Sequence, residues 1–114
     1  MTYTQEMRDV LDCLAANPAF RDDGYRLVDV PNVGEEVDSS FGSLFKSVPG
    51  TDWREYVDFG LGEVTFSGLY SEVIHDGVPI WYHHCGQMLT PLQLRLVLEA
   101  AERLETIIKK LCES

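Results

Sequence analysis

A two-residue turn constrains the fold of this chain more than any other feature. Asp76-Gly77 lies between two stretches rich in strand-forming residues, Leu69–His75 and Val78–Cys85. Asp-Gly is favoured in two-residue hairpin turns because both turn positions require a positive φ. We therefore predict an antiparallel β-hairpin that is closed by this turn.

The register of this hairpin places a set of polar and aromatic residues together. It pairs Glu72 with Trp81. It also pairs Tyr70 with His83. Because successive side chains alternate between the two faces of a strand, all four are predicted on one face. Trp and Tyr are common in binding surfaces and in cores, so this face is predicted either to bind a partner or ligand or to pack beneath a helix.

The same stretch holds all three histidines, His75, His83 and His84, and Cys85. In the hairpin, His83 and His84 point to opposite faces, and His75 lies at the far end. Zinc sites need three or four converging ligands, so neither a metal nor a cofactor is predicted. His83 and Cys85 are separated by ~7 Å along the strand, beyond the ~3 Å that an activating base needs. Catalysis by either residue is therefore only a secondary alternative, and the sequence leans against an enzyme.

The charge balance indicates the kind of partner. The net charge is −10, from 19 acidic and 9 basic residues, and such a surface repels nucleic-acid phosphates. It suits a basic partner surface instead. Glu35, Glu36 and Asp38 cluster in a polar stretch that is predicted to be an exposed loop, and they are candidate partner-binding residues. The alternative is that the carboxylates only keep the protein soluble.

Other segments carry clear signals of secondary structure. Helical spacing of apolar residues predicts a helix over Thr4–Ala16, which Asn17-Pro18 ends. A short turn or helix is predicted around Phe41, Leu44 and Phe45. Further strands are predicted where strand-forming residues cluster: Tyr25–Val30, Glu55–Leu61 and Glu63–Phe66.

The C-terminal segment carries the strongest helix signal. Thr90-Pro91-Leu92-Gln93 is a capping box with proline at the first helical position. Apolar residues then recur at steps of three and four: Leu94, Val97, Ala101, Leu104, Ile108 and Leu111. We predict that this helix packs across the sheet. The alternative is a homodimer through the helix, which the additional apolar residues Leu96, Leu98 and Ile107 would support.

Taken with the chain length of 114 residues, these elements predict a single α+β domain over 1–114. It has an antiparallel sheet of four to five strands, with the N-terminal helix and the long C-terminal helix packed on one face. Three widely spaced cysteines and no signal peptide indicate a reduced, cytoplasmic protein. No apolar run approaches the ~20 residues of a membrane span, so no membrane partner is predicted.

The middle of the chain resembles a bacterial domain family of unknown function, whose members occur alone or fused to XRE-type helix-turn-helix regulators. The resemblance rests on these residues: Tyr56-x-Asp58, Gly62, Phe66-x-Gly68, Glu72-Val73, Gly77-x-Pro79-x-Trp81 and Gly86. The segment Tyr82–Cys85 departs from the family pattern. The resemblance implies an α+β fold with a hairpin, favours a regulatory or sensing role, and brings no activity with it.

Three functions follow as hypotheses. The first is a non-enzymatic, acidic binding protein that acts on a protein partner, as an inhibitor, a toxin-immunity protein or a phage counter-defence protein does. The second is a small-molecule-sensing regulatory domain with a pocket between the sheet and the C-terminal helix. The third is an enzyme that uses Cys85 or His83.

Overall fold

The computed structural model describes residues 1–37, 39–62, 70–74, 80–86 and 89–113, and at 70–74 and 113 it describes the backbone alone. The elements in chain order are α1 (Gln5–Ala16), α2 (Pro18–Arg21), β1 (Arg26–Val28), β2 (Ser40–Ser47), β3 (Arg54–Leu61), β4 (Tyr70–Ile74), β5 (Ile80–Cys85) and α3 (Pro91–Glu113).

The strands form one antiparallel sheet in the order β1-β2-β3-β5-β4. Helix α1 contacts β1, helix α3 contacts β5, and the two helices contact each other. Their buried residues join one core cluster with the inward-facing residues of the sheet. The predicted α+β fold, with both helices on one face of an antiparallel sheet, is confirmed.

The core lies between the helices and the sheet. Met7 and Leu11 of α1 are fully buried, as are Phe59 and Ile80 of the sheet. Of the six α3 residues at the predicted helical spacing, four are at most 1% exposed: Val97, Ala101, Leu104 and Ile108. The other two lie near the helix ends, where Leu94 is half-buried and Leu111 is 38% exposed. Each large apolar side chain buried in this way contributes about 1.5–3 kcal/mol. The prediction that α3 packs across the sheet is therefore confirmed.

Helix α3 begins at the predicted Pro91, and α1 begins at Gln5, one residue after its predicted start. In both helices, side chains satisfy the first N–H groups. The Thr4 hydroxyl accepts a hydrogen bond from the Met7 N–H of α1. At α3, the Gln93 N–H donates to Thr90 Oγ1 at 3.1 Å, and the Thr90 N–H donates to Gln93 Oε1 at 3.0 Å. Such caps are worth about 1 kcal/mol each.

The prediction of a turn or helix around Phe41, Leu44 and Phe45 is wrong, because β2 runs straight through them. A β-bulge shifts the register between Ser40 and Gly42, where Gly42 adopts φ 135°. The extra residue changes the phase of the strand, so Phe41 and Leu44 are both fully buried. Burial three residues apart imitates helical spacing.

The predicted register of the hairpin is also wrong, by one residue. Ile74 pairs with Ile80, whereas the Asp76-Gly77 turn predicts Val73 as the partner of Ile80. Residues 75–79, and the predicted strand Glu63–Phe66, lie outside the described residues. None of the described helices is long and apolar enough to cross a bilayer.

Candidate functional site

The Trp81 indole is a packed side chain, not an exposed one. Trp81 lies on the face of β5 opposite the helices, paired with Gly60 of β3. It is only 8% exposed. A Cβ atom at position 60 would overlap the indole ring and the Ser39 carbonyl oxygen. The ring therefore packs directly against the Gly60 backbone, and it offers little area to a partner.

The observed register separates the four residues predicted to share a face. Tyr70 pairs with His84, and Glu72 pairs with Tyr82. The partners expected from the sequence were His83 and Trp81. The side chains of Tyr70 and Glu72 lie outside the described part of the chain, so a binding role for these two residues stays a prediction.

The neighbouring histidines point to opposite faces of the sheet, as predicted. His84 pairs with the buried Val57 and is itself 5% exposed, whereas the half-buried His83 pairs with Asp58. Burial lowers the pKa of His84, and the charge of His83 lowers it further. In the described residues, no group of three or more His, Cys, Asp or Glu side chains is placed to hold a metal.

The Cys85 thiol is not activated. Although Cys85 is exposed as a residue, its surroundings desolvate the sulfur and raise the pKa of the thiol, and the Asp58 carboxylate raises it further. The thiolate is the nucleophilic form of cysteine, so this position has less of it at neutral pH than an ordinary thiol. The chemistry argues against Cys85 as a catalytic nucleophile.

The predicted acidic loop is tied to the N-terminal segment. The Glu36 carboxylate lies 2.7 Å from the Met1 amino group and accepts a hydrogen bond from the Thr2 hydroxyl at 3.0 Å. These contacts lower the pKa of Glu36. The Glu35 carboxylate accepts a 2.7 Å hydrogen bond from Asn32, and its backbone oxygen accepts one from the Tyr3 N–H. Asp38, the third predicted acidic residue, lies outside the described residues.

This loop borders an acidic hollow, defined here by Asp29, Val30, Pro31, Glu35, Glu36, Val37, Ser39 and Ser40, with a volume of about 390 Å³. Asp29, Glu35 and Glu36 line it together with apolar residues, and the Met1 amino group offsets the charge of Glu36. Asp29 was not predicted. Its place depends on a left-handed backbone conformation, φ 55°, which aspartate tolerates better than most residues.

A second polar cluster, also not predicted, lies at one end of the core, where Tyr25, Glu55 and Gln93 are buried and Asp23 is exposed. The Tyr25 hydroxyl donates a 2.6 Å hydrogen bond to Glu55 Oε2. Lys46 Nζ lies 2.9 Å from Asp23 Oδ1 and 3.9 Å from Glu55 Oε2. Gln93 Nε2 donates to Asp23 Oδ2 at 3.0 Å. Burial opposes ionisation of Asp23, but its contacts with Lys46 and Gln93 outweigh it and lower the Asp23 pKa.

This cluster connects separate parts of the fold. Its residues come from the α2–β1 connection, β2, β3 and the start of α3, so it ties the α3 N-terminus to the sheet. No sequence motif predicts this cluster, because its members are up to 70 residues apart.

Comparisons with family models, curated proteins and solved structures find no match to this chain. The resemblance to the bacterial domain family therefore stays a prediction from the residues.

Proposed function

We propose that this protein is a non-enzymatic, acidic binding protein that acts on a protein partner with a basic surface. Inhibitors, toxin-immunity proteins and phage counter-defence proteins are the types that fit. The observation that carries the proposal is the acidic hollow, which Asp29 and Glu35 line beside the Met1-paired Glu36, in a chain of net charge −10. Complementary charge steers association and favours the correct partner.

The backbone around the hollow is held in place, which favours recognition over mere solubility. The Tyr3 N–H donates to the Glu35 carbonyl oxygen at 2.8 Å, and the Val37 N–H donates to the Met1 carbonyl oxygen at 2.7 Å. The neutral Asn32 amide orients the Glu35 carboxylate without cancelling its charge. Groups that are already ordered lose less entropy when they bind.

Two further observations weigh against the alternatives. The raised pKa of the Cys85 thiol disfavours an enzyme that uses it. A sensing pocket between the sheet and α3 would need space where Val97, Leu104 and Ile108 are at most 1% exposed and pack in the core cluster. In this proposal the protein works in the cytoplasm, where its three cysteines, all free and exposed, stay reduced.

The proposal is tested by capturing a partner with the full chain from a bacterial lysate and measuring the affinity of the purified pair. We expect Glu35→Lys to weaken binding by about tenfold or more, while the exposed, remote Asp52→Lys, with the same change in charge, has less than about a twofold effect. Asp29→Asn is a second variant, because asparagine also tolerates φ 55°. Equal affinity in all variants would contradict the proposal.

A further inference from the structure

A groove runs between the two long helices on the outer surface of the protein. It has a volume of about 490 Å³. Helix α1 contributes Glu6, Asp9 and Val10, and helix α3 contributes Glu102, Arg103, Thr106 and Ile107. We call this the interhelical groove.

The floor of the interhelical groove is apolar. Val10 closes it from beneath as a core residue that is 3% exposed, and the half-buried Ile107 is the apolar side chain that a partner can reach. A smaller hollow of about 110 Å³ lies farther along the same helix pair, where its lining includes Leu14, Leu96 and Ala100. Because Glu6 lies near Ile107 whereas Leu14 lies near Leu96, the helices run antiparallel and the apolar floor follows their line of contact.

The rims of the groove are negatively charged on both sides. Glu6 and Asp9 line it from α1, Glu102 lines it from α3, and all three are exposed. Arg103 is the cation in this lining. Gln5 Nε2 donates to the Asp9 carboxylate at 2.8 Å, which orients that carboxylate without neutralising it.

This combination selects one kind of occupant. An apolar floor favours apolar side chains, and carboxylates on both rims favour lysine or arginine beside them. A second copy of the same surface would bring carboxylates against carboxylates, and a nucleic acid would bring phosphates against them. A basic, amphipathic segment of another protein fits both the apolar floor and the acidic rims.

We infer that the interhelical groove docks a basic amphipathic helix of the protein partner, with its apolar side chains on Ile107 and its basic side chains beside Glu6, Asp9 and Glu102. This inference rests on the proposed function and adds a second contact surface to it. Helix-in-groove docking is a common mode of peptide recognition. The length of α1, 12 residues, corresponds to ~18 Å of helix, enough to seat about three turns.

The test uses a fluorescent synthetic peptide of about 14 residues, with leucine at helical spacing and lysine elsewhere. Its control has serine in place of each leucine and the same charge. Binding of both to the full chain is followed by fluorescence anisotropy, and the contact surface is mapped from backbone amide shifts in NMR spectra. We expect only the leucine peptide to bind, with shifts centred on Val10, Arg103 and Ile107.

Charge variants separate the groove from the general acidity of the protein. Asp9→Lys and Glu102→Lys should each weaken peptide binding by about tenfold, whereas Asp52→Lys, with the same change in charge, should weaken it less than about twofold. Arg103→Glu should strengthen it. Circular dichroism melts check folding, and Glu102→Gln, which removes the charge but keeps the shape, gives a second reading if Glu102→Lys unfolds.

Three results would overturn the inference: equal binding of the serine peptide, equal weakening by Asp52→Lys, or amide shifts centred on the acidic hollow. The captured partner distinguishes this failure from that of the proposed function. A partner that loses affinity with Glu35→Lys but not with Glu102→Lys refutes docking in the groove and leaves the proposed function standing. A partner that is insensitive to both refutes the proposed function as well.

Discussion

Removal of one buried hydroxyl tests how the core tolerates charge. Glu55 is 6% exposed, and its carboxylate accepts a 2.6 Å hydrogen bond from the Tyr25 hydroxyl. Lys46 Nζ lies 3.9 Å away, too far for a hydrogen bond that would replace it. We therefore expect Tyr25→Phe to leave the Glu55 carboxylate buried without the hydrogen bond that offsets the cost of its burial.

The magnitude follows from the charge on the acceptor. A hydrogen bond to a charged group contributes about 1.5–3 kcal/mol, and Tyr25→Phe removes no apolar area. With an unfolding entropy of ~2.1 cal/mol/K per residue over this chain, that loss corresponds to a decrease in Tm of about 6–12 °C. Urea denaturation followed by circular dichroism should show a lower midpoint with an unchanged slope.

The matched control is Tyr56→Phe, on the opposite face of β3 from Glu55, where the tyrosine ring packs 5.1 Å from that of Phe45. It should change the free energy of unfolding by less than about 0.5 kcal/mol. Alkaline pH provides a second check. Burial raises the pKa of Tyr25, and its hydrogen bond to Glu55 raises it further, so the wild type should lose stability above pH 10, the ordinary tyrosine pKa, more steeply than Tyr25→Phe. Equal losses in the two phenylalanine variants would refute the reasoning.

Three other predictions concern β5 and its neighbours. Burial lowers the pKa of His84 below 6.5, so the unfolded chain takes up a proton at a higher pH than the folded chain does. The free energy of unfolding should therefore decrease as the pH falls through 6.5. Thermal melts of His84→Gln should show a shallower decrease. With the other cysteines replaced by serine, Cys85 should react with a disulfide reagent more slowly than a free thiol, and Asp58→Asn should accelerate it; no difference would argue against the influence of Asp58. Gly60→Ala should destabilise the protein by about 1–3 kcal/mol through overlap with the Trp81 ring, and a smaller loss in a Trp81→Phe background would identify that overlap as the cause.

The sequence predicts the two long helices well because their signals are local, whereas the short helix α2 was not predicted. The capping residue Thr90 and the burial of Val97, Leu104 and Ile108 agree with the structure. Each depends on residues within a few positions of one another, so no tertiary contact is needed to find them.

The errors arise where distant residues decide the structure. Phe41 and Leu44 are three residues apart, which is helical spacing, and a bulge at Gly42 allows both to face the core from one strand. A bulge has no strong local signal in the sequence. The observed hairpin register, with Ile74 paired to Ile80, likewise differs by one residue from the register that the local turn signal predicts.

The candidate site was only partly predictable for the same reason. The sequence indicates Glu35 and Glu36 because they are adjacent in an acidic loop. Asp29 joins them only through the fold, as Glu102 joins Asp9 across the interhelical groove. Trp81 is a prominent residue in the sequence, but it is packed on Gly60 and does not form an exposed surface.

The central claim, that fixed carboxylates on this protein bind a basic partner, is tested most directly by the salt dependence of that affinity. The affinity of the captured partner is measured at salt concentrations from about 0.05 to 0.5 M, a range over which the Debye screening length shortens several-fold. We expect the affinity of the wild type to fall steadily over this range and that of Glu35→Lys to fall less steeply. An affinity that does not change with salt would contradict the account.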